Sequence, residues 1–179
     1  GISQNRHWRH YQNHPVLRAI RGTMTAWPKD NTVAKNAFYG DFRLASFQAE
    51  HLTRIKPPFT MFYDKKPMTK GILVNKACAA AMMAAFTEIW DKCDHDEAKV
   101  AKTGASDFGG CFNIRAIAGS NSYSNHSWAC AIDLSPASNG FNMKGTIGDV
   151  VVKAFKNQGF RWGGDYLKRK DKMHFEAVS

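Results

Sequence analysis

The chain has 179 residues, of which 44% are hydrophobic and 22% charged, so it is long enough and apolar enough to bury the core of one domain. This composition argues against global disorder, and the longest apolar stretch, residues 77–86, is far shorter than the ~20 residues of a membrane-spanning helix. A formal net charge of +10 favours anionic partners: nucleic acid, anionic lipid or the acidic polymers of a bacterial envelope. The chain does not open with the basic, apolar and small-residue series of a signal peptide.

Residues 1–23 differ from the rest of the chain. They contain four arginines and three histidines, no acidic residue and little apolar periodicity. We predict a basic N-terminal arm here, followed by a single domain over residues 24–179. Two other interpretations are open: the histidines could bind a metal ion, or the apolar residues of this segment could pack onto the domain as a helix. These apolar residues are Trp8, Tyr11, Val16, Leu17 and Ile20.

The next segments predict one strand and one long helix. Residues 31–41 are mixed and end in a Tyr-Gly turn signal, whereas the aromatic residues 59–63 predict a strand. Asn75 is a residue type that caps helices, and the segment after it predicts a helix to about Cys93. The acidic run 94–97 is expected to be a solvated loop. An apolar stripe of the helix should face the core; it consists of Met82, Phe86, Ile89 and Cys93.

From Asp107 onward the pattern changes to short strands and turns. A helix is predicted over residues 146–157, closed by Gly159. The predicted fold class is α+β: a small, mainly antiparallel sheet with helices packed to one side. The predicted strands of this half cover residues 111–117, 129–134, 160–162 and 173–176.

The four cysteines contain no CxxC pair. Two disulfides are formally possible, but free cysteine is commonly buried, so we expect four buried thiols. They are Cys78, Cys93, Cys111 and Cys130.

Three residues of the C-terminal half form a candidate metal site. His126 and His174 are the only histidines after residue 107, and Asp133 lies within an otherwise apolar strand. An ionised aspartate is costly to bury unless a cation or strong donors compensate its charge. Two imidazole nitrogens and one carboxylate oxygen would bind Zn²⁺ and leave a fourth position open for water, as catalytic zinc requires. We therefore expect one zinc ion per chain, although such a set occurs by chance in many proteins.

The surroundings of these residues resemble two signatures of the D-Ala-D-Ala metallopeptidase (VanX/VanY-like) family. Residues 124–133, Ser-Asn-His-Ser-Trp-Ala-Cys-Ala-Ile-Asp, are similar to the family pattern SxHxxGxAxD. The Trp-Gly-Gly-Asp at 162–165 and an acid three residues before His174 are similar to the second signature. The resemblance covers roughly residues 57–176 and is closest to the L-alanyl-D-glutamate peptidase endolysins of bacteriophages. One departure is Ala129, which stands where the family has glycine, and we expect a modest backbone adjustment there.

The resemblance implies a fold like that of hedgehog domains and D-Ala-D-Ala peptidases, with His126, Asp133 and His174 as zinc ligands. Asp171 matches the acid that accepts a proton from the zinc-bound water and delivers it to the leaving amine. Glu176 is the alternative base, because residues two positions apart on a strand lie on the same face and Glu176 is two positions after His174.

The remaining site residues are expected to contact substrate. Arg115 resembles the family arginine that holds the scissile carbonyl or a substrate carboxylate, and its alternative role is a surface salt bridge. Trp162 could equally belong to the core, and Ser124 could order its loop. The side chains expected to bind substrate are Ser124, Trp162, Asp165 and Tyr166.

The implied function is hydrolysis of an amide bond in a peptidoglycan stem peptide. L-Alanyl-D-glutamate endopeptidase is the first choice, and D-alanyl-D-alanine carboxypeptidase or dipeptidase is the second. A zinc-containing wall-binding module without catalysis is a different class of function. The presence of both Asp171 and Arg115 argues against it. Nucleic-acid binding is suggested by the charge alone, and no specific nucleic acid is expected.

The expected partners are bacterial peptidoglycan and anionic envelope polymers, with a monomeric protein that does not span a membrane. If the protein is phage-encoded, the resemblance implies a host-cytoplasmic location with release to the periplasm or cell wall.

Overall fold

A computed structural model describes residues 26–179. The predicted arm, residues 1–23, therefore lies outside the described residues, together with its histidines and its alternative helix. No helix within residues 26–179 is long and apolar enough to cross a membrane. The α-helices of this part are α1 Thr32–Tyr39, α2 Phe47–His51, α3 Lys76–Lys92, α4 Glu97–Thr103, α5 Pro136–Asn139 and α6 Asp149–Asn157.

Short antiparallel strands form three sheets in the described part of the chain. Strand β1 pairs with β4, β2 pairs with β3, and the other four strands lie in the order β5-β6-β8-β7. The architecture is α+β with antiparallel strands, as predicted. The strands are β1 Leu52–Ile55, β2 Phe62–Tyr63, β3 Lys66–Pro67, β4 Ile72–Asn75, β5 Phe108–Gly110, β6 Ala131–Leu134, β7 Arg161–Trp162 and β8 His174–Glu176.

The core lies where α3 and α6 pack on each other and on the four-stranded sheet. The ring of Phe86 in α3 is 5.5 Å from that of Phe155 in α6, and Phe155 is 4.6 Å from Phe175 in β8. Because side chains alternate along a strand, the neighbours of Phe175 in β8 point to the opposite face. The core helices thus hold one face of β8, and the other face is left for the candidate site. Burial of the predicted stripe is confirmed for Met82, Phe86, Ile89 and Cys93.

The long helix begins where the sequence predicts. The Asn75 side chain accepts a hydrogen bond from the Ala77 N–H at 3.0 Å, and Cys93 follows the last helical residue. The same side chain donates to the backbone carbonyls of Tyr39 and Trp128 at 2.9 and 3.1 Å. Asn75 therefore caps α3 and also joins it to two other parts of the chain.

Four of the six helices in the described residues, α1, α2, α4 and α5, form in segments for which no helix is predicted. Helix α1 starts at the Asn31 cap, which accepts from the Ala34 N–H at 2.9 Å, and it ends at Gly40 with a φ of +86°. Helix α4 starts inside the acidic run, because Asp96 accepts from two backbone N–H groups of the first turn. The prediction that residues 94–97 form only a loop is therefore wrong for the last two, because Asp96 caps the helix and Glu97 is its first residue.

The predicted strand at residues 111–117 is also wrong. The strand of this region is β5, which ends at Gly110, and its register shifts within those three residues. The alternating apolar residues that suggested a strand do not form a buried face, since Phe112 is half-buried against the core but Ile114 is 49% exposed. The segment instead leaves the sheet and approaches the turn that contains His126.

Two predicted elements are each three residues shorter than expected, whereas β6, β7 and β8 are shorter than their predicted strands by only one or two residues. In residues 59–63 only Phe62 and Tyr63 are in a strand. The predicted helix 146–157 begins at Asp149, because the N–H groups of residues 146 and 147 donate to the Asn139 side chain at 2.7 and 2.8 Å. Because these two N–H groups are bound to the Asn139 side chain, they do not point along the helix axis as the first N–H groups of a longer helix would.

Candidate metal centre

The pairing of β6 with β8 brings two of the predicted ligands together. Asp133 and His174 are direct partners in this antiparallel pair. Side chains directly opposite each other are neighbours, and here Nδ1 of His174 is 2.8 Å from Oδ1 of Asp133. The sheet register itself therefore builds a carboxylate–imidazole pair on the face opposite the helical core.

The third predicted ligand is in the 3-10 turn Asn125–Trp128, directly before β6. Ser124 is buried, and its hydroxyl accepts the His126 N–H at 3.4 Å, so it orders this turn. The turn ends at Ala129, whose φ of +53° lies in the left-handed region. Glycine adopts that region freely, whereas alanine does so at a cost of about 1–2 kcal/mol. The backbone thus explains why a glycine suits this position and how alanine is accommodated.

One hydrogen bond sets the orientation of the His126 ring. Its Nδ1 is 2.8 Å from the Cys111 carbonyl, which can only accept, so Nδ1 carries the proton. The lone pair of Nε2 then points toward the pair on the sheet, 3.2 Å from His174 Nδ1 and 3.1 Å from Asp133 Oδ2. A backbone acceptor on the second ring nitrogen is the arrangement that orients metal-binding histidines.

These three side chains form a group that can hold a metal ion. One ligand atom from each of His126, Asp133 and His174 lies within 4.8 Å of the others, and all three residues are buried. Two imidazole nitrogens and one carboxylate oxygen are a donor set that fits a divalent transition metal such as zinc. No second group of this kind occurs in residues 26–179.

The electrostatics of the group favour a cation. Burial opposes ionisation of Asp133, but the adjacent imidazoles of His126 and His174 outweigh burial and hold its pKa below the usual range. Burial likewise opposes the charging of His174, but its bonds to Asp133 and Glu176 raise its pKa. Without a metal, the carboxylates therefore retain a proton on His174, and a bound metal ion would supply that positive charge instead.

Glu176 accepts hydrogen bonds on both carboxylate oxygens. Its Oε2 is 3.1 Å from His174 Nε2 and accepts from Asn125 Nδ2 at 2.7 Å. Its Oε1 accepts from the Tyr166 hydroxyl at 2.6 Å and forms an ion pair with Arg161 Nη2 at 3.0 Å. Three hydrogen bonds and one ion pair thus occupy a carboxylate that offers about four acceptor positions. This places Glu176 behind His174, where it can orient the ring.

Asp171 has the opposite environment. Its backbone is fixed by hydrogen bonds to Gly163 and His174, and the residue is buried. Oδ1 is nevertheless the one buried side-chain oxygen or nitrogen without a hydrogen-bond partner among the described residues. Burial raises the pKa of this carboxyl, and the positive charges of the site offset that only in part. Such an unpaired buried oxygen is typical of a group that binds a substrate atom or a reacting water.

Arg115 has a fixed backbone and an exposed side chain. Its N–H donates to Ser127 Oγ at 3.2 Å, and its carbonyl accepts from the Ser124 N–H at 3.0 Å. No carboxylate within residues 26–179 forms an ion pair with its guanidinium, whereas Arg43 pairs with one carboxylate and Arg161 with two. The charge of Arg115 does act on Asp171.

Three of the four side chains predicted to bind substrate contact other parts of the protein beyond their own loop. Tyr166 is bound to Glu176, and Trp162 is half-buried with its indole N–H on a backbone carbonyl at 2.9 Å. Asp165 is exposed and pairs with Lys156 of α6 at 2.5 Å. Ser124, the fourth, caps the turn that contains His126.

Sequence reasoning missed the residues that support the ligands. Glu176 was considered only as a base, although its alternation with His174 was a visible signal for a contact. Asn125 lies inside the first signature but was given no role. Lys35, which contacts Asn125 at 2.6 Å, had no sequence signal at all.

Residues 118–177 match a family model described as D-alanyl-D-alanine carboxypeptidase. The match covers 60 of the 179 residues and agrees, over that segment, with the predicted resemblance to the D-Ala-D-Ala metallopeptidases. The matched segment contains the three-residue group and Asp171, but not Arg115. No curated protein and no solved structure matches the chain.

Proposed function

We propose that the protein is a zinc metallopeptidase that hydrolyses an amide bond in the stem peptide of peptidoglycan. The main support is the buried group of His126, Asp133 and His174 beside the unpaired carboxylate of Asp171. This arrangement lies within the segment that matches the carboxypeptidase family.

Asp171 is the proposed general base and acid. A bound zinc ion would polarise the scissile carbonyl and lower the pKa of a water molecule toward ~7. Oδ1 of Asp171 accepts the proton of the attacking water and then delivers it to the leaving amine. A carboxyl whose pKa is raised by burial suits both steps, because it can hold the proton between them.

Glu176 and Arg115 have different proposed roles. Both oxygens of Glu176 are already engaged by three hydrogen bonds and an ion pair, so Glu176 orients His174 rather than exchanging protons with water. Arg115, an exposed cation whose charge acts on Asp171, binds a substrate carboxylate or the developing oxyanion.

The bond to be tested first is L-Ala–D-Glu, as in phage endolysins. The second candidate is D-alanyl-D-alanine carboxypeptidase or dipeptidase activity, which the description of the matching family favours. Purified peptidoglycan should be incubated with the protein, with and without chelator, and the released fragments identified by mass spectrometry. New N-terminal D-Glu identifies the endopeptidase, and released D-Ala or D-Ala-D-Ala identifies the second activity. Wall binding without fragments would contradict the proposal and indicate a binding module.

The positive charge of the chain is proposed to assist attachment to the anionic wall. The net charge is +10, and residues 1–23 contribute four arginines and no acid. Such contacts are screened by salt, because the Debye length falls to ~8 Å at physiological ionic strength. Deleting residues 1–23 should therefore weaken lysis of whole walls most at low salt and leave cleavage of a soluble muropeptide nearly unchanged. Equal loss of both activities would contradict this role.

A further inference from the structure

A lysine is buried behind the metal centre. Lys35 in α1 is 4% exposed, and its Nζ lies 2.9 Å from Asp30 Oδ1 and 2.6 Å from Asn125 Oδ1. The ammonium also lies 4.2 Å from the ring centre of Trp128. Lysine is almost never fully buried unless it is paired, so this position needs an explanation. Helix α1 is outside residues 118–177, the segment that matches the carboxypeptidase family.

A continuous series of hydrogen bonds leads from this ammonium to a metal ligand. Lys35 donates to the amide oxygen of Asn125, and the amide nitrogen of Asn125 donates to Glu176 Oε2 at 2.7 Å. The same Oε2 is 3.1 Å from Nε2 of His174. Three contacts therefore connect helix α1 to the imidazole.

The charges at the two ends determine which way the Asn125 amide is turned. In the observed orientation its oxygen faces an ammonium and its NH2 faces a carboxylate. Rotation of the amide by 180° would place NH2 against the Lys35 ammonium and oxygen against the Glu176 carboxylate, and both contacts would be repulsive. Without the ammonium, the amide oxygen would lose its cationic partner, and the observed orientation would depend on the NH2 group alone, which donates to Glu176 Oε2 at 2.7 Å and to Asp30 Oδ1 at 3.3 Å.

We propose that Lys35 is a positioning residue of the metal centre. By fixing Asn125, it fixes the Oε2 atom of Glu176 that accepts the Nε2 proton of His174. The Nδ1 lone pair of His174 is then directed toward Asp133 and His126, as a metal ligand requires. Tyr166 and Arg161 hold the other oxygen of Glu176, so they do not replace this contact. The inference rests on the metal site of the proposed function and not on peptide hydrolysis.

The test is the zinc affinity of Lys35→Met, measured by competition with a chromophoric chelator. Loss of a group that directly orients a ligand weakens metal binding ~10–100-fold. Lys35 acts through Asn125 and Glu176, so we expect a loss of about 3–10-fold, below that range. The matched control is Asn36→Ala on the same helix. Asn36 accepts the Trp128 indole N–H at 2.8 Å but is not part of the series. The zinc affinity of Asn36→Ala should therefore change less than about twofold, even if the melting temperature of this variant falls.

A double-mutant cycle distinguishes positioning from general loosening. Asn125→Ala removes the middle of the series, so adding Lys35→Met to it should cause no further loss of zinc affinity. Additive losses would overturn the proposal, as would an equal loss in Asn36→Ala. If Lys35→Met does not fold, Asn125→Ala alone must still weaken zinc binding, and wild-type affinity in that variant would also overturn the proposal.

Failure of this inference is distinguishable from failure of the proposed function. Unchanged zinc affinity in Lys35→Met, with active wild-type enzyme, overturns the inference alone. Tight zinc binding by a wild-type protein that cleaves no stem peptide overturns the proposed function alone. A wild-type protein that binds no zinc overturns both.

Discussion

The segment that matches the carboxypeptidase family, residues 118–177, and the preceding residues 26–117 contribute differently to the metal centre. The matched segment supplies all three candidate ligands and Asp171. The preceding segment supplies α3, on which α6 packs, and two buried side chains, Asn75 and Lys35, that contact the turn containing His126. The residue types needed for metal chemistry are thus concentrated in a short motif, whereas part of their geometry is fixed from outside it.

The largest expected effect is loss of metal from the matched segment. His126→Ala and His174→Ala should each reduce zinc from about one ion per chain to near zero, because two remaining ligands hold zinc weakly. Metal analysis of protein purified without added zinc provides the measurement. His95→Ala is the matched control, since His95 lies in the preceding segment, pairs with Asp91 at 2.8 Å and should not affect zinc content. Full zinc content in both ligand variants would refute the ligand set.

The next effect separates catalysis from metal binding. Asp171→Asn keeps the shape of the side chain but cannot accept the proton, so turnover should fall by ~10²–10⁴-fold. Its zinc content should stay at the wild-type level, because Asp171 is not a ligand in the proposed site. Steady-state kinetics on a soluble stem peptide, together with metal analysis, measure both quantities.

Glu176→Gln should show the reverse behaviour. An amide in this position disrupts the acceptor for His174 Nε2, so zinc affinity should fall ~10–100-fold. Activity should recover when zinc is added in excess, whereas that of Asp171→Asn should not. If Glu176→Gln were inactive at saturating zinc and Asp171→Asn were still active, Glu176 would be the general base and Asp171 would not.

The contrast between the two segments also explains what the sequence could predict. Metal ligands are restricted to a few residue types, so His126, Asp133 and His174 could be proposed from residue type together with the resemblance of their surroundings to two family signatures. The partner of a buried ammonium is not restricted in this way: Lys35 and Asn125 are 90 positions apart, and only the fold brings them together.

Local patterns failed where a distant contact took precedence. Residues 111–117 alternate like a strand, but the carbonyl of Cys111 is used to orient His126. The helix expected from residue 146 starts later because the Asn139 side chain binds two of its N–H groups. The cap at Asn75 was predictable, since it depends on the adjacent residues, but its bonds to Tyr39 and Trp128 were not.

A smaller effect is expected where the two segments meet. Asn75→Ala removes the α3 cap and leaves the buried carbonyls of Tyr39 and Trp128 without this donor. We expect a loss of about 2–4 kcal/mol in the free energy of unfolding, measured by denaturant titration. The control is Asn31→Ala, which removes an exposed cap of α1 and should cost about 1 kcal/mol. Equal losses in the two variants would mean that the contacts of Asn75 across the two segments contribute little.

The smallest effect is a change in thiol reactivity at the same boundary. All four cysteines are buried and unpaired, which confirms the prediction from the sequence. The sulfurs of Cys78 and Cys111 each lie 3.8 Å from the Ala129 carbonyl, so both thiols sit between the two segments. Burial raises the pKa of both well above the usual range, and the thiolate is the reactive form.

Labelling of these thiols should therefore require the two segments to separate. In the native protein, a thiol reagent should modify Cys78 and Cys111 far more slowly than in urea, as followed by mass spectrometry of peptides. Since labelling then follows the opening equilibrium, the ~3 kcal/mol expected for Asn75→Ala should accelerate it by about 10²-fold. Asn31→Ala should change the rate much less. Rapid labelling of Cys78 in the wild-type protein would show that the segments open without loss of the Asn75 contacts, and that these contacts do not hold the boundary closed.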